Sequence, residues 1–168
     1  VADQPTDAIN CKNYTLDESF FGDSYYCEYR RSPTDIIRFH SDPYTKVIGK
    51  IFRFTLIERS QAQLVKDKVL ERYGKPKVEN FKEGEWVDEW QAAWGEVEMK
   101  YESTVQDIVF ESRPNTRSVR FYFDDCESSF GTCSDVFDVK NDASKLLART
   151  YLFGKQSRLN SSALTMKK

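Results

Sequence analysis

Residues 44 to 58 carry the clearest two-sided pattern in the chain. Phe52, Phe54 and Leu56 fall on one face of an extended segment, and Val47, Ile51 and Ile57 fall on the other. Apolar residues on both faces predict a central strand, and Gly49 marks a site for a bulge. The run from Thr34 to His40 precedes it across Ser41-Asp42-Pro43, so the two form a hairpin. Upstream, Tyr25, Cys27 and Tyr29 alternate with polar residues and predict a short strand with a buried Cys27.

The period then changes from two to helical. Ala62, Val65, Val69 and Tyr73 make an apolar stripe that Leu64 and Leu70 widen. Ser60-Gln61-Ala62-Gln63 fits a capping box, Gly74 suits the residue after a helix, and Pro76 forbids continuation. A helix over residues 60 to 73 follows.

Beyond it, Trp86 to Trp94, Val97 to Tyr101, Val105 to Ser112 and Arg117 to Asp124 read as four strands of an antiparallel meander, punctuated by Gly95 and Pro114-Asn115. In its last hairpin Ile108 and Phe110 face Val119, Phe121 and Phe123, cover the helix, and leave Arg117 and Arg120 outward or at edges. Asp135 to Val139 adds an edge strand. Asp142 caps a second helix built on Ala143, Leu146, Leu147 and Tyr151 that ends at Gly154. The expectation is an α+β fold: a mainly antiparallel twisted sheet packed on one long helix, with a second helix near the C-terminus.

Nothing in the pattern divides the chain. It has no repeat, no low-complexity tract and no Pro/Ser-rich linker, so residues 1–168 read as one α+β domain with a loose polar lead-in over 1–10 and a polar tail over 155–168. A boundary near residue 76 is the rival, but it strips the helix from the sheet that needs it. At 168 residues the chain buries roughly 70% of its unfolded surface, enough for a core without cross-links. Aromatic content of 14% suits a β-rich core.

Charge narrows the partners. Twenty-five basic residues against 27 acidic give a net charge of −2, which offers no field for nucleic acid or anionic membrane. No run approaches the roughly 20 apolar residues of a spanning helix, and Arg53 interrupts the stretch from Ile51 to Ile57.

Four cysteines change the picture more. Cys11 and Cys27 lie near each other in sequence, as do Cys126 and Cys133, without C-x-x-C spacing or clustered histidines. The arrangement predicts two structural disulfides and an extracytoplasmic, periplasmic or secreted, location. Three pairings are open to four cysteines, and the local one is the simplest. The opening Val-Ala-Asp-Gln-Pro reads as a mature chain whose signal peptide has been removed.

Candidate chemistry is sparse. His40 is the sole histidine, and a triad built on it lacks a Gly-x-Ser-x-Gly elbow or a spare cysteine. A strand-end histidine bonded to Asp42 or solvent is the plainer reading, beside a pH-sensing one. Trp86, Trp90 and Trp94 recur every fourth residue on one face of a strand, with Asp88. They make either core packing or an aromatic platform for a sugar, a peptide or a partner side chain.

Asp124, Asp125, Glu127 and Asp135 surround the loop closed by Cys126 and Cys133, but no EF-hand order is present. A stapled display loop carrying Glu127 and Phe130 is the favoured reading over calcium. Glu85, Asp88, Glu89, Glu96 and Glu98 border the tryptophans as glycosidase acids do, yet Glu96, Glu98, Lys100 and Glu102 also alternate as an exposed strand face does. Asn13-Tyr14-Thr15 and Asn160-Ser161-Ser162 match the glycosylation acceptor pattern.

No cofactor or metal ligand set emerges. The leading functional expectation is therefore a non-enzymatic protein-binding module outside the cytosol, of inhibitor or immunity type, using Trp86, Trp90, Trp94, Asp88, Glu127 and Phe130. The alternative is a small-ligand or glycan binder on the tryptophan face, and the third is a small hydrolase.

Overall fold

The computed structural model describes residues 15–19, 22–41, 47–81, 84, 86–102, 107–112, 116–127, 132–137 and 142–155. Cys11, Asn13, Tyr14, Asp42, Phe130, the Asn160-Ser161-Ser162 pattern, the lead-in and the tail beyond residue 155 lie outside them. The strands are β1 (Thr15–Ser19), β2 (Gly22–Ser32), β3 (Asp35–Ser41), β4 (Ile48–Glu58), β5 (Val78–Asn80), β6 (Gln91–Gly95), β7 (Val97–Glu102), β8 (Asp107–Ser112), β9 (Ser118–Asp125) and β10 (Lys145–Phe153). Helix α1 (Ala62–Tyr73) follows β4, and the short α2 (Thr132–Phe137) precedes β10. Eight strands form one sheet in the order β1-β2-β3-β4-β10-β9-β6-β5, every neighbour antiparallel, and β7 and β8 form a separate hairpin. No helix among the described residues is long and apolar enough to cross a membrane.

The predicted central strand and its hairpin partner hold. β4 lies between β3 and β10, and the register slips from His40 opposite Lys50 to Ser41 opposite Ile48, which bulges the chain at Gly49. Helix α1 ends as expected: Gly74 has φ +77° and its N–H donates to the Leu70 carbonyl at 2.8 Å. Its start differs. The capping box is built two residues earlier, on Glu58 and Gln61 around a 3-10 turn over Arg59–Gln61, with Gln61 Oε1 accepting the Glu58 N–H at 3.2 Å.

Several expectations are overturned. The second C-terminal helix is instead β10, because Leu146, Leu147 and Tyr151 fit either period and the two flanking strands decide it by completing the ladder on both edges of β10. Asp142 caps no helix; it holds a turn, accepting the Ser144 N–H at 3.0 Å and the Ser144 hydroxyl at 2.6 Å. Of the edge strand expected over Asp135 to Val139, residues 135–137 are the last part of α2, and 138–139 lie outside the described residues.

The meander also fails. β6 pairs with β9, not β7, so β7–β8 is an excursion between two neighbouring strands, and the hairpin expected between β8 and β9 does not form. Gly95, at φ +98°, turns the chain out of β6. A Cβ there would lie 2.4 Å from the Arg117 carbonyl oxygen, so only glycine allows the close passage. The segment Trp86–Trp94 is not one strand but a 3-10 turn over Val87–Glu89 followed by β6.

The sheet has two apolar faces. On one, Ile57, Trp90, Ala92, Trp94, Phe121, Phe123, Leu146 and Ala148 are buried, with Val65, Val69, Leu70 and Tyr73 of α1 packed on them. On the other, Ile36, Phe54 and Leu147 pack with Val136 of α2 and the Cys126–Cys133 disulfide, whose Cα atoms are 5.5 Å apart. Cys27 carries no free thiol and is half-buried rather than buried, while its neighbour Tyr29 is exposed.

Candidate functional site

The α1 face is filled unevenly. Over β6 and β9 the indoles seal it: Trp90 is fully buried, its Nε1–H donating to Glu79 Oε2 at 2.9 Å, and Trp94 donates to the Gly74 carbonyl at 2.9 Å. Each indole thus has its polar atom satisfied while its ring fills the core. Toward β3 and β4 no indole among the described residues occupies the space. A groove of about 800 Å³ remains between α1 and the sheet.

Strand alternation supplies its floor. Ile37 of β3 lies opposite Arg53 of β4, Arg53 opposite Thr150 of β10, and Thr150 opposite Phe121 of β9, while Ile51 and Leu152 form the next row on the same face. The helix supplies the wall through Val65, Lys68, Val69, Arg72 and Tyr73. Ile37, Ile51, Val65, Val69 and Leu152 are all only partly buried, so five aliphatic side chains border open space.

The charged part of the groove is organised by Asp35. Arg53 donates to it twice, Nε to Oδ1 at 3.0 Å and Nη2 to Oδ2 at 2.9 Å; the Thr55 hydroxyl donates to Oδ1 at 3.3 Å, and Arg31 stands 3.7 Å away. Burial pushes the Asp35 carboxyl up, but the Arg53 hydrogen bonds and the neighbouring guanidinium charges outweigh it and hold the group below its usual range. The same hydrogen bonds raise Arg53, with a smaller contribution from Tyr73. Four cations, Arg31, Arg53, Lys68 and Arg72, line the groove beside one acid, Glu71.

A second, more polar cleft of about 480 Å³ lies at the far end of the sheet, lined by Arg59, Asn80, Asp88, Glu89, Gln91 and Asp125 with Phe123 and Leu146. Arg59 ties it together, bonding Asp88, Asp125 Oδ1 at 2.7 Å and the Ala143 carbonyl at 2.8 Å. Among the described residues no three His, Cys, Asp or Glu side chains gather as a metal would require.

The residues singled out from sequence scatter. Trp90 and Trp94 are core, edge-to-face at 6.2 Å, whereas Trp86 is 78% exposed, so the three do not share a platform. Asp88 is engaged by Arg59. Glu127 is exposed at the disulfide turn, its N–H bonded to Asp125 at 2.9 Å.

His40 is not at a wet strand end. It is 2% exposed between the rings of Tyr26 and Phe52, at 5.3 and 4.5 Å, and lines neither cleft. Burial, with Lys50 and Arg38 nearby, lowers its pKa to about 3. Arg120, expected outward, is drawn in over the Phe153 ring at 4.7 Å, and burial lowers its pKa. On the same face burial raises the hydroxyls of Tyr122 and Tyr151.

Sequence reasoning missed the Arg53–Asp35 pair. The signal was present as the arginine interrupting an otherwise apolar strand, and it needed the partner strand to be read. No protein-family model, curated protein or solved structure matches the chain.

Proposed function

We propose that the protein binds a small, largely apolar ligand in the groove between α1 and strands β3, β4 and β10, in an oxidising, extracytoplasmic compartment. One observation carries the reading: five partly buried aliphatic side chains surround a space of about 800 Å³, within the range of ligand pockets, beside a helix flank that is otherwise tightly filled. The Cys126–Cys133 bridge supports the compartment, since such cross-links persist where thiols are oxidised. The test is titration with an uncharged apolar fluorophore, N-phenyl-1-naphthylamine, with and without Thr150→Phe, which places a ring in the groove floor. Saturable binding of one molecule per chain, lost in the variant, is expected; unchanged binding in the variant refutes the site.

The second reading is recognition of another protein, as an inhibitor or immunity-type module does. Trp86 favours it, because an indole 78% exposed is costly to leave in water and is a frequent anchor of protein interfaces. Glu127 adds an exposed acid at a disulfide-braced turn.

A further inference from the structure

We infer that the groove selects ligands carrying an anionic oxygen head group, carboxylate or phosphate, held at Arg53 with Lys68 and Arg72 closing over it from α1. The inference rests on the groove being a ligand site and concerns which chemistry it accepts. A chain with a net charge of −2 would, by composition alone, present acids as often as bases. The groove instead sets four cations against two acids, Glu71 in its lining and Asp35, which is paired with Arg53 and Arg31.

The arrangement of these cations matters more than their number. Asp35 grips Arg53 side-on, through Nε and Nη2, and Thr55 holds Asp35 in turn. The guanidinium is therefore fixed in orientation, with its Nη1 end directed away from that carboxylate. A planar fork of donors in fixed orientation is the group that best receives a second carboxylate or a phosphate. Asp35 neutralises part of the charge, which keeps the arginine tolerable at a half-buried site before a ligand arrives.

Lys68 and Arg72, four residues apart on one face of α1, border the same space from the helix, and both are exposed enough to move onto a bound head group. Ile51 and Leu152 form the neighbouring row of the floor, and they receive the apolar body. The ligand is thus an amphiphile whose charged end lies at the row of Arg53 and Thr150.

The experiment compares dodecanoate, dodecyl phosphate, dodecylammonium and uncharged dodecanol as competitors of the fluorophore on the full chain. Both anions are expected to compete at least about tenfold better than dodecanol, as one or two charge-assisted hydrogen bonds require. That preference is expected to fall with added salt. In Lys68→Glu/Arg72→Glu, at two exposed helix positions of the groove wall, the preference for anions over dodecanol disappears.

Asp35→Asn/Arg53→Gln removes the fixed guanidinium without stranding its partner and gives the same loss. Thermal melting confirms that both variants are folded. If dodecanol or dodecylammonium competes as well as the anions, or if neither variant changes the preference, the head-group inference is overturned while the groove reading stands. If none of the four competes, both fall together.

Discussion

The two flanks of α1 rest on the same sheet face but are built differently. Toward β9 and β6 the helix meets Trp90, Trp94 and Phe121, with ring centroids 5.4 to 6.2 Å apart and both indole N–H groups satisfied. Toward β4 and β3 it meets Arg53, Thr55 and Thr150, interspersed with aliphatics and with no indole over them among the described residues. A flank closed by large rings spends its apolar surface on stability. A flank that leaves isoleucine, valine and leucine half-open gives that contribution up, which is a common mark of a surface kept for something else.

The largest test of this contrast is Trp90→Ala. Removing a fully buried indole is expected to cost about 3–5 kcal/mol, measured by urea denaturation, because the surrounding strands cannot collapse onto the space. A loss below about 1 kcal/mol would break the comparison by showing that the closed flank is no more essential than the open one.

A middle-sized test uses acid. His40 has a folded pKa of about 3 against 6.5 when unfolded, so the unfolded chain binds the extra proton and stability falls as pH drops from about 6.5 toward 3. At pH 4.5 this amounts to about 2 kcal/mol relative to pH 7. Asp35 and Asp142, both held low, add their losses only at more acid pH, through their own lowered values. His40→Phe should therefore flatten the melting temperature between pH 6.5 and 4.5; an unchanged slope would show that the opposite sheet face is wetter than its burial indicates.

The smallest expected effect is on stability in Trp86→Ala, within about 0.5 kcal/mol because the ring is exposed. The informative readout is partner capture, which this substitution should abolish if the indole anchors a protein and leave intact if it does not.

How much of this was readable beforehand varied with how local the cause was. Helix α1 was legible because its stripe, its glycine stop and Pro76 all act within a few residues. β4 was legible because apolar residues on both faces admit few alternatives. β10 was not: Leu146, Leu147 and Tyr151 satisfy a helical stripe, and only β4 and β9, distant in sequence, select the extended form. The tryptophan triplet misled for a related reason. Equal spacing suggested one shared face, but the 3-10 turn over Val87–Glu89 rotates Trp86 away from the other two. The groove was invisible since it depends on how far a helix stands from a sheet, which no single segment specifies.

Pairing of Glu58 with Lys145, 87 residues apart, closes the seam at the middle of the sheet. Without β10, β4 and β9 would each present an unmatched row of amide and carbonyl groups. The two halves of the sheet meet through β10, a long-range pairing that predicts slower folding than a sheet of local hairpins.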